Sequence, residues 1–304
     1  MNLVLDIVFL LTELFLLLLG LGFLTVIVFY VVDRTQTRHS LRRNFPVLAR
    51  FRYLFEKLGE FFRQYFFAMD REELPFNRAE RSWVYRAAKG ADTTVAFGST
   101  RDLKRPGTVI FVNCAYPMLE QDTQPPRPLV IGPATPNPFA TAAFFNVSGM
   151  SYGAISKPAV QALSRGAAKA GVWLNTGEGG LSQAHLDGGA DIVFQIGTAN
   201  YGVRDSLGQL DAVKLKAVAA HEQVRMFEIK LSQGAKPGKG GILPGAKVSG
   251  EIARIRAIPE GEDSISPNRN PAIDSGESLL DALAQVRDLT GKPVGFKAVI
   301  GDYQ

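Results

Sequence analysis

Hydrophobic and polar positions divide this chain into stretches of different period. Leu14–Val32 is apolar and uncharged for nineteen residues, close to the ~20 that carry a helix across a bilayer. Asp6 and Glu13 precede the run, and Arg34, Arg38, Arg42, Arg43, Arg50 and Arg52 follow it. Positive residues stay on the cytoplasmic side, so residues 1–33 are expected to form a single-pass anchor in the inner (cytoplasmic) membrane. The bulk of the chain then lies on the cytoplasmic side. A signal peptide fits less well, because there is no basic leading region or small-residue cleavage site. A buried core helix is the other alternative.

Between residues 33 and 70, Phe51, Leu54, Phe55, Leu58, Phe62 and Phe66 recur at helical spacing among Arg and Lys, which predicts an amphipathic helix. Two readings stay open: packing on the main domain, or lying at the membrane surface. Residues 71–90 read as another short helix ended by Gly90. Prolines 106, 117, 125, 126, 128, 133, 136 and 138 then mark a mostly extended connector with short strands. The helical and Pro-rich connector is thus assigned to residues 34–140.

After Thr141 the texture changes again. Strands are predicted at Phe144–Ser148, Val172–Asn175, Asp191–Ile196, Met226–Leu231 and Val294–Ile300. Helices are predicted at Pro158–Ala170, Leu210–His221, Val248–Arg256 and Ser278–Thr290. Strands alternating with helices of this length indicate an α/β domain with a parallel sheet. Unusual residues fall repeatedly just past strand ends, at Gly149–Ser156, Thr176–Gly180, Gly197–Arg204 and Gln233–Pro244. Chemistry placed there points to a TIM-type (β/α)8 barrel over residues 141–304. About five barrel strands are legible where eight are needed, so the barrel is expected to be incomplete in this chain, which reads as a fragment.

Composition narrows the chemistry. The net charge of +5 is gathered largely after the apolar run, and no basic patch interleaved with aromatics suggests nucleic acid. Cys114 is the single cysteine, and His39, His185 and His221 have no metal-binding spacing. Neither an internal disulfide nor a cysteine-held metal or cluster can come from this chain alone. The densest signal is Lys230–Pro244, KLSQGAKPGKGGILP, which follows the short run Met226–Ile229. Glycine lets backbone N–H groups approach a ligand and lysine adds compact positive charge, which together suit an anion. It is not a nucleotide P-loop: Gly234 to Gly238 is one residue short, and Gly240 follows Lys239.

Several stretches together carry a resemblance: SGMSYGAIS (148–156), NTGEGG (175–180), QIGTANYGVR (195–204), IKLSQGAKPGKGGILPGAKVSGEIARIR (229–256), SISP (264–267) and GKPVGFK (291–297). They resemble the FMN-binding central domain of glutamate synthase. Upstream, HSLRRNFPVLARFRYLFE and RSWVYRAAKG resemble its shorter, membrane-anchored bacterial branch. The resemblance implies FMN as cofactor, with Lys297 toward the flavin N1/O2 edge and the backbone of Met150, Ser151 and Gly153 against the ring. It places Thr176 and Gln195 beside the cofactor, Gln195 at the pyrimidine side. It implies reductive amination of 2-oxoglutarate to glutamate through an imine held near flavin N5. Glu178 and Lys230 carry the catalytic roles, and Gln233, Lys236 and Arg256 bind substrate.

An iron–sulfur cluster belongs to the full-length family, but its cysteines are not in this sequence. The implied partners are a 2-oxo acid, an ammonia source and an electron donor that the sequence does not name. The chain departs from the family at Ile242, where glutamate synthases carry Gln, so the substrate can instead be a related 2-oxo acid. No amidotransferase segment with a leading catalytic cysteine is visible. Two alternatives remain: an FMN-dependent oxidoreductase acting on another amino or hydroxy acid, and a non-catalytic membrane-anchored scaffold derived from the barrel.

Overall fold

The apolar run lies inside one long helix, α1 (Asn2–Thr35). Its span Leu5–Thr35 has a mean hydropathy of 2.8 over its most apolar window, none of which is buried. By length and composition the helix can cross a membrane. The protein, seen here as a computed structural model, is described at residues 2–67, 69, 71–94, 101–236 and 238–301. These fall into two units, Met1–Cys114 and Ala115–Gln304.

In the first unit the expected amphipathic segment is broken in two, α2 (Ser40–Asn44) and α3 (Leu48–Phe62), and α3 runs on into a π-helical turn, Arg63–Phe67. The break sits at Pro46 and Val47. Proline has no N–H to continue the ladder, and Val47 takes φ 64°, outside helical space. Residues 68 and 70 of that expected segment lie outside the described residues. Helix α4 (Arg78–Ala88) starts later than expected because Asn77 caps it, accepting from Glu80 N at 3.1 Å while Glu80 Oε2 accepts from Asn77 N at 3.1 Å.

The second unit opens with an antiparallel pair from the Pro-rich stretch, β1 (Leu129–Ile131) and β2 (Phe139–Thr141). Then come α5 (Lys157–Ala170), β3 (Leu174–Asn175), α6 (Gln183–Leu186), β4 (Ile192–Ile196), α7 (Ala212–Ala219) and β5 (Val224–Lys230). After these follow β6 (Gly241–Leu243), α8 (Gly250–Arg256), β7 (Ser264–Ser266), α9 (Gly276–Thr290) and β8 (Val294–Lys297). Strands β3, β4, β5 and β8 form one parallel sheet in that order. The unit is therefore α/β with its helices as crossovers.

Local chemistry explains these bounds. Ser156 caps α5 and Gly171, at φ 65°, ends it; Asp211 caps α7; Ser275 and Gly291 bracket α9. Three expected strands shrink, Val172–Asn175 to the two residues of β3. Phe144–Ser148 reduces to a single parallel bridge, Val147 to Leu174, with Phe144 and Phe145 exposed. The last strand ends at Lys297, and Ala298–Ile300 leave the sheet exposed. Helix α8 begins at Gly250, because Gly245–Lys247 forms a 3-10 turn ahead of it.

Which face each strand presents is set by one irregularity. Ile192 pairs with Val224 but Val193 pairs with Met226, so Arg225 is an extra residue on β5. With that bulge Ile192, Phe194 and Ile196 of β4 and Val224, Phe227 and Ile229 of β5 all join one buried cluster with Leu215 of α7 and Val286 of α9. The opposite face then carries Asn175, Val193, Gln195, Met226, Glu228, Lys230, Gly295 and Lys297. A second cluster, Tyr152, Val160, Leu243, Val248 and Ile252, seats α8 beside the loop after the Val147 bridge.

Candidate functional site

The polar face of the sheet leads to a cavity of about 550 Å³ at the C-terminal ends of β5 and β8. A volume of that order accommodates a cofactor or drug-sized ligand. Lys230 and Lys297 end neighbouring strands and are paired in register. The lysine–glycine loop after β5 does not run free: it enters β6, which pairs with β7 as an antiparallel flap bearing Ile242, Ser264 and Ser266. Among the described residues, the charged side chains lining the cavity are Lys230, Lys236, Arg256 and Lys297 against one carboxylate, Glu178. Four cations facing one anion is an electrostatic deficit, and like charges side by side on a sheet are destabilising. Such a lining suits an anion.

Glu178 is the centre of a compact network. Its Oε2 accepts from Gln233 Nε2 at 2.7 Å and from Lys230 Nζ at 3.3 Å, while Gln233 Oε1 accepts from Lys230 at 2.7 Å. Gln233 Nε2 also donates to Thr198 Oγ1 at 3.2 Å, and Thr198 donates to the Pro267 carbonyl at 2.7 Å. Lys230 and Glu178 are only 13% and 14% exposed at their side chains, so their pairing is far less screened than a surface ion pair. Both Gln233 donors and its carbonyl are engaged within the protein, which makes it a brace. Lys230 has three donors and two acceptors among the described residues, leaving one N–H for a ligand. Glu178 Oε1 likewise has no partner among the described residues, and it lies where a side chain on Gly241 would stand, 2.7 Å from that position.

Arg256, on the last turn of α8, is 4% exposed. It donates to Ser264 Oγ at 2.8 Å and to the Tyr152 carbonyl at 2.9 Å, and its guanidinium lies 5.2 Å over the Tyr201 ring. Its Nε is buried without a partner. Burial pushes its pKa down, opposed by Tyr201 and the charge of Glu178. The surface ion pair that a helical ARIR would ordinarily make is absent; this cation is held inside, facing the cavity.

Of the residues singled out from the sequence, the cavity brings together Ser151, Glu178, Lys230, Gln233, Lys236, Arg256 and Lys297. Met150, Gly153, Thr176 and Gln195 do not line it. Gly153 faces Ile252 and Leu243 of the second apolar cluster. Thr176 is buried, donating to the Gly177 carbonyl at 2.9 Å and accepting from Gln195 N at 3.0 Å. Gln195 donates its side-chain amide to Glu228 Oε1, which also accepts from Asn175 Nδ2 at 3.1 Å.

Glu228 and Asn175 escaped the sequence reading. The available signal was an acidic residue inside the run Met226–Ile229, which the register now sets beside Gln195. Thr198, Ser264 and Ser266 were missed because nothing local distinguishes them from ordinary loop hydroxyls.

Behind the NTGEGG loop, His185 is 1% exposed and its Nδ1 faces Ser182 N at 3.1 Å and Ser182 Oγ at 2.8 Å. Burial lowers its pKa from 6.5 to about 4. The unfolded chain therefore binds more protons than the folded one between these values, so stability present above the unfolded pKa is lost as pH falls toward the folded one. The expected slope is at most about 1.4 kcal/mol per pH unit. Urea midpoints measured through that window should fall with pH and flatten in His185→Gln; an equally steep fall in the variant would assign the effect elsewhere.

Comparison with known proteins agrees on one family. Residues 115–303, more than half of the chain, match the family described as the conserved region in glutamate synthase. The glutamate synthase large subunit-like protein YerD of Bacillus subtilis is 38% identical over 311 residues, covering 90% of this chain and 59% of that protein. The archaeal-type glutamate synthase (NADPH) of Thermotoga maritima is 39% identical over 152 residues, 49% of this chain and 27% of that protein. The archaeal glutamate synthase (NADPH) of Methanocaldococcus jannaschii is 37% identical over 153 residues, 50% of this chain and 28% of that protein. The chain thus spans somewhat over half the length of the first relative and about a quarter of the other two.

Proposed function

The chain belongs to the glutamate synthase family through residues 115–303, and from that premise we propose that it serves a flavin-dependent oxidoreductase of glutamate synthase type. The reaction is reductive amination of 2-oxoglutarate or a related 2-oxo acid. The observation that carries this reading is the excess of cations in one cavity, with Lys230 and Lys297 adjacent at its floor. The alternating helices and parallel sheet support reading residues 141–304 as part of a (β/α)8 barrel, with its chemistry at the strand ends.

The residues present fit FMN by their donor set: Lys297 Nζ has no hydrogen-bond partner among the described residues, and the residue lines the cavity. When bound, the flavin supplies a hydride to the imine carbon. Lys297 would hold its electron-rich N1/O2 edge, since a cation there favours the reduced, anionic form. Arg256, Lys236 and the remaining Lys230 donor would hold the carboxylates of a 2-oxo diacid. Glu178 Oε1 is positioned to hold the proton exchanged with the incoming ammonia nitrogen, and Gln233 keeps that carboxylate oriented. An iron–sulfur cluster does not fit these residues, because Cys114 is the single cysteine. We assign no step to one.

The apolar α1 and the arginines that follow it support a single-pass membrane anchor with the barrel on the cytoplasmic side. A second reading, oxidation of another amino or hydroxy acid, is favoured by Ile242, an apolar residue in the cavity wall that is 44% exposed. Purified full-length protein, its flavin reduced chemically, should be reoxidised by 2-oxoglutarate plus ammonia. Reduction of the oxidised flavin by another amino or hydroxy acid, with no reoxidation of the reduced flavin by the 2-oxo acid and ammonia, would support the second reading. Protein without a flavin absorbance band would sink both.

A further inference from the structure

We propose that α3 lies in the surface layer of an anionic bilayer, its Phe/Leu face among the acyl chains, locked to the end of α1 by Asp33 and Arg50. The proposal rests on the reading of α1 as a membrane anchor. Asp33, in the last turn of α1, is buried. Its carboxylate accepts from Arg50 Nε and Nη2, both at 2.8 Å, and from Val47 N at 3.1 Å. Arg50 also lies 4.0 Å over the Phe29 ring of α1. Between these anchor points Gln36 donates to the Asp33 and His39 carbonyls at 3.1 and 2.8 Å and accepts from His39 N at 2.8 Å. The connection is a braced elbow, so α3 must start at the depth where α1 ends.

What α3 shows at that depth is unlike the surface of a soluble helix. Phe51, Leu54, Phe55, Leu58 and Phe62 recur at helical spacing and are exposed, and Phe66 and Phe67 extend the face through the π-helical turn. Among the described residues nothing covers it, and it continues the exposed apolar surface of α1.

The charges decide the occupant. Residues 33–63 hold eight Lys or Arg against three Asp or Glu, a net +5 that equals the net charge of the whole chain. Asp33 is engaged by Arg50, and Glu56 pairs with Arg52 at 3.2 Å. Basic residues flanking a Phe-rich face complement anionic headgroups above acyl chains.

The test uses the full chain with Cys114→Ser, reconstituted in phosphatidylcholine–phosphatidylglycerol vesicles, with spin labels on Leu16→Cys, Phe55→Cys or Lys57→Cys. Accessibility to oxygen, which concentrates among acyl chains, is compared with that to a water-soluble nickel chelate. Oxygen should exceed nickel at 16 and 55, and the order should reverse at 57. Asp33→Asn should erase the contrast between 55 and 57 while leaving 16 unchanged. If 16 reads lipid but 55 reads water, or 55 is closed to both reagents as beneath a protein partner, the inference fails and the anchor stands. If 16 reads water, the anchor reading itself fails and this inference with it. Equal contrast in phosphatidylcholine alone would overturn the anionic-lipid part.

Discussion

Glu178→Ala is expected to lower kcat/KM for the 2-oxo acid by about 100- to 1,000-fold, roughly 3–4 kcal/mol of transition-state stabilisation. The substitution removes the one carboxylate that lines the cavity among the described residues and leaves Lys230, Lys236, Arg256 and Lys297 facing one another without it. It also releases Gln233 Nε2, whose bond to Glu178 is 2.7 Å, and one of the two partners of Lys230. Two effects are therefore combined, and Glu178→Gln separates them. Glutamine keeps an acceptor oxygen for Gln233 and Lys230 but cannot take a proton. If the carboxylate works only as a brace, Glu178→Gln should restore most of the activity. If it exchanges a proton with the substrate nitrogen, kcat should stay low while KM recovers, and the pH dependence of kcat should lose one limb. Wild-type turnover in Glu178→Ala would remove this residue from the chemistry.

Gly177→Ala is expected to destabilise the second unit by about 2–5 kcal/mol, from left-handed strain plus overpacking. Gly177 has φ 65°, and a Cβ there would stand 2.6 Å from both Met150 C and Ser151 N. Those neighbours are backbone atoms of the adjoining strand-end loop and cannot rotate away. Gly177 N also donates to Asn175 Oδ1 at 2.9 Å, which ties the loop to the polar face of the sheet. For a unit of this size such a loss lowers the melting temperature by roughly 5–15 °C. Gly189→Ala is the control, since Gly189 has φ 78° but nothing within 4 Å of its would-be Cβ. It should cost only the strain, about 1–2 kcal/mol. Equal melting temperatures for the two variants would show that the close approach of the NTGEGG and SGMSYG loops contributes nothing. Any loss of ligand binding beyond the loss of stability would report on Ser151, which lines the cavity.

Much of the second unit was legible in the sequence. Helices α5 and α9 and strands β4 and β5 were expected to within a few residues, because period and caps are local. Ser156, Gly171, Ser275 and Gly291 mark helix ends wherever the helix packs. The flap of β6 and β7 was not legible. Each strand is three residues, too short for a period, and their pairing joins positions separated by the whole of α8. The amphipathic segment of the first unit splits at Pro46, which lies ahead of the periodic positions Phe51 to Phe66 and offers no N–H through which a helix could continue.

The sequence by itself determined that this is an α/β chain with an apolar, membrane-length first helix. It also set the glycine- and lysine-rich segments just past strand ends, where the cavity lies. These follow from composition and from periods that a few neighbouring residues set. Only the tertiary structure decided which polar groups face the cavity. One inserted residue, Arg225, sets the parity of β5 against β4 and with it Glu228 beside Gln195, while the register of β5 with β8 sets Lys230 beside Lys297. Burial of Arg256 likewise depends on Tyr201 and the Tyr152 carbonyl, both distant in sequence. A strand's side chains alternate whatever their identity, so the face each one takes is fixed by register with its neighbours, and register is a non-local property.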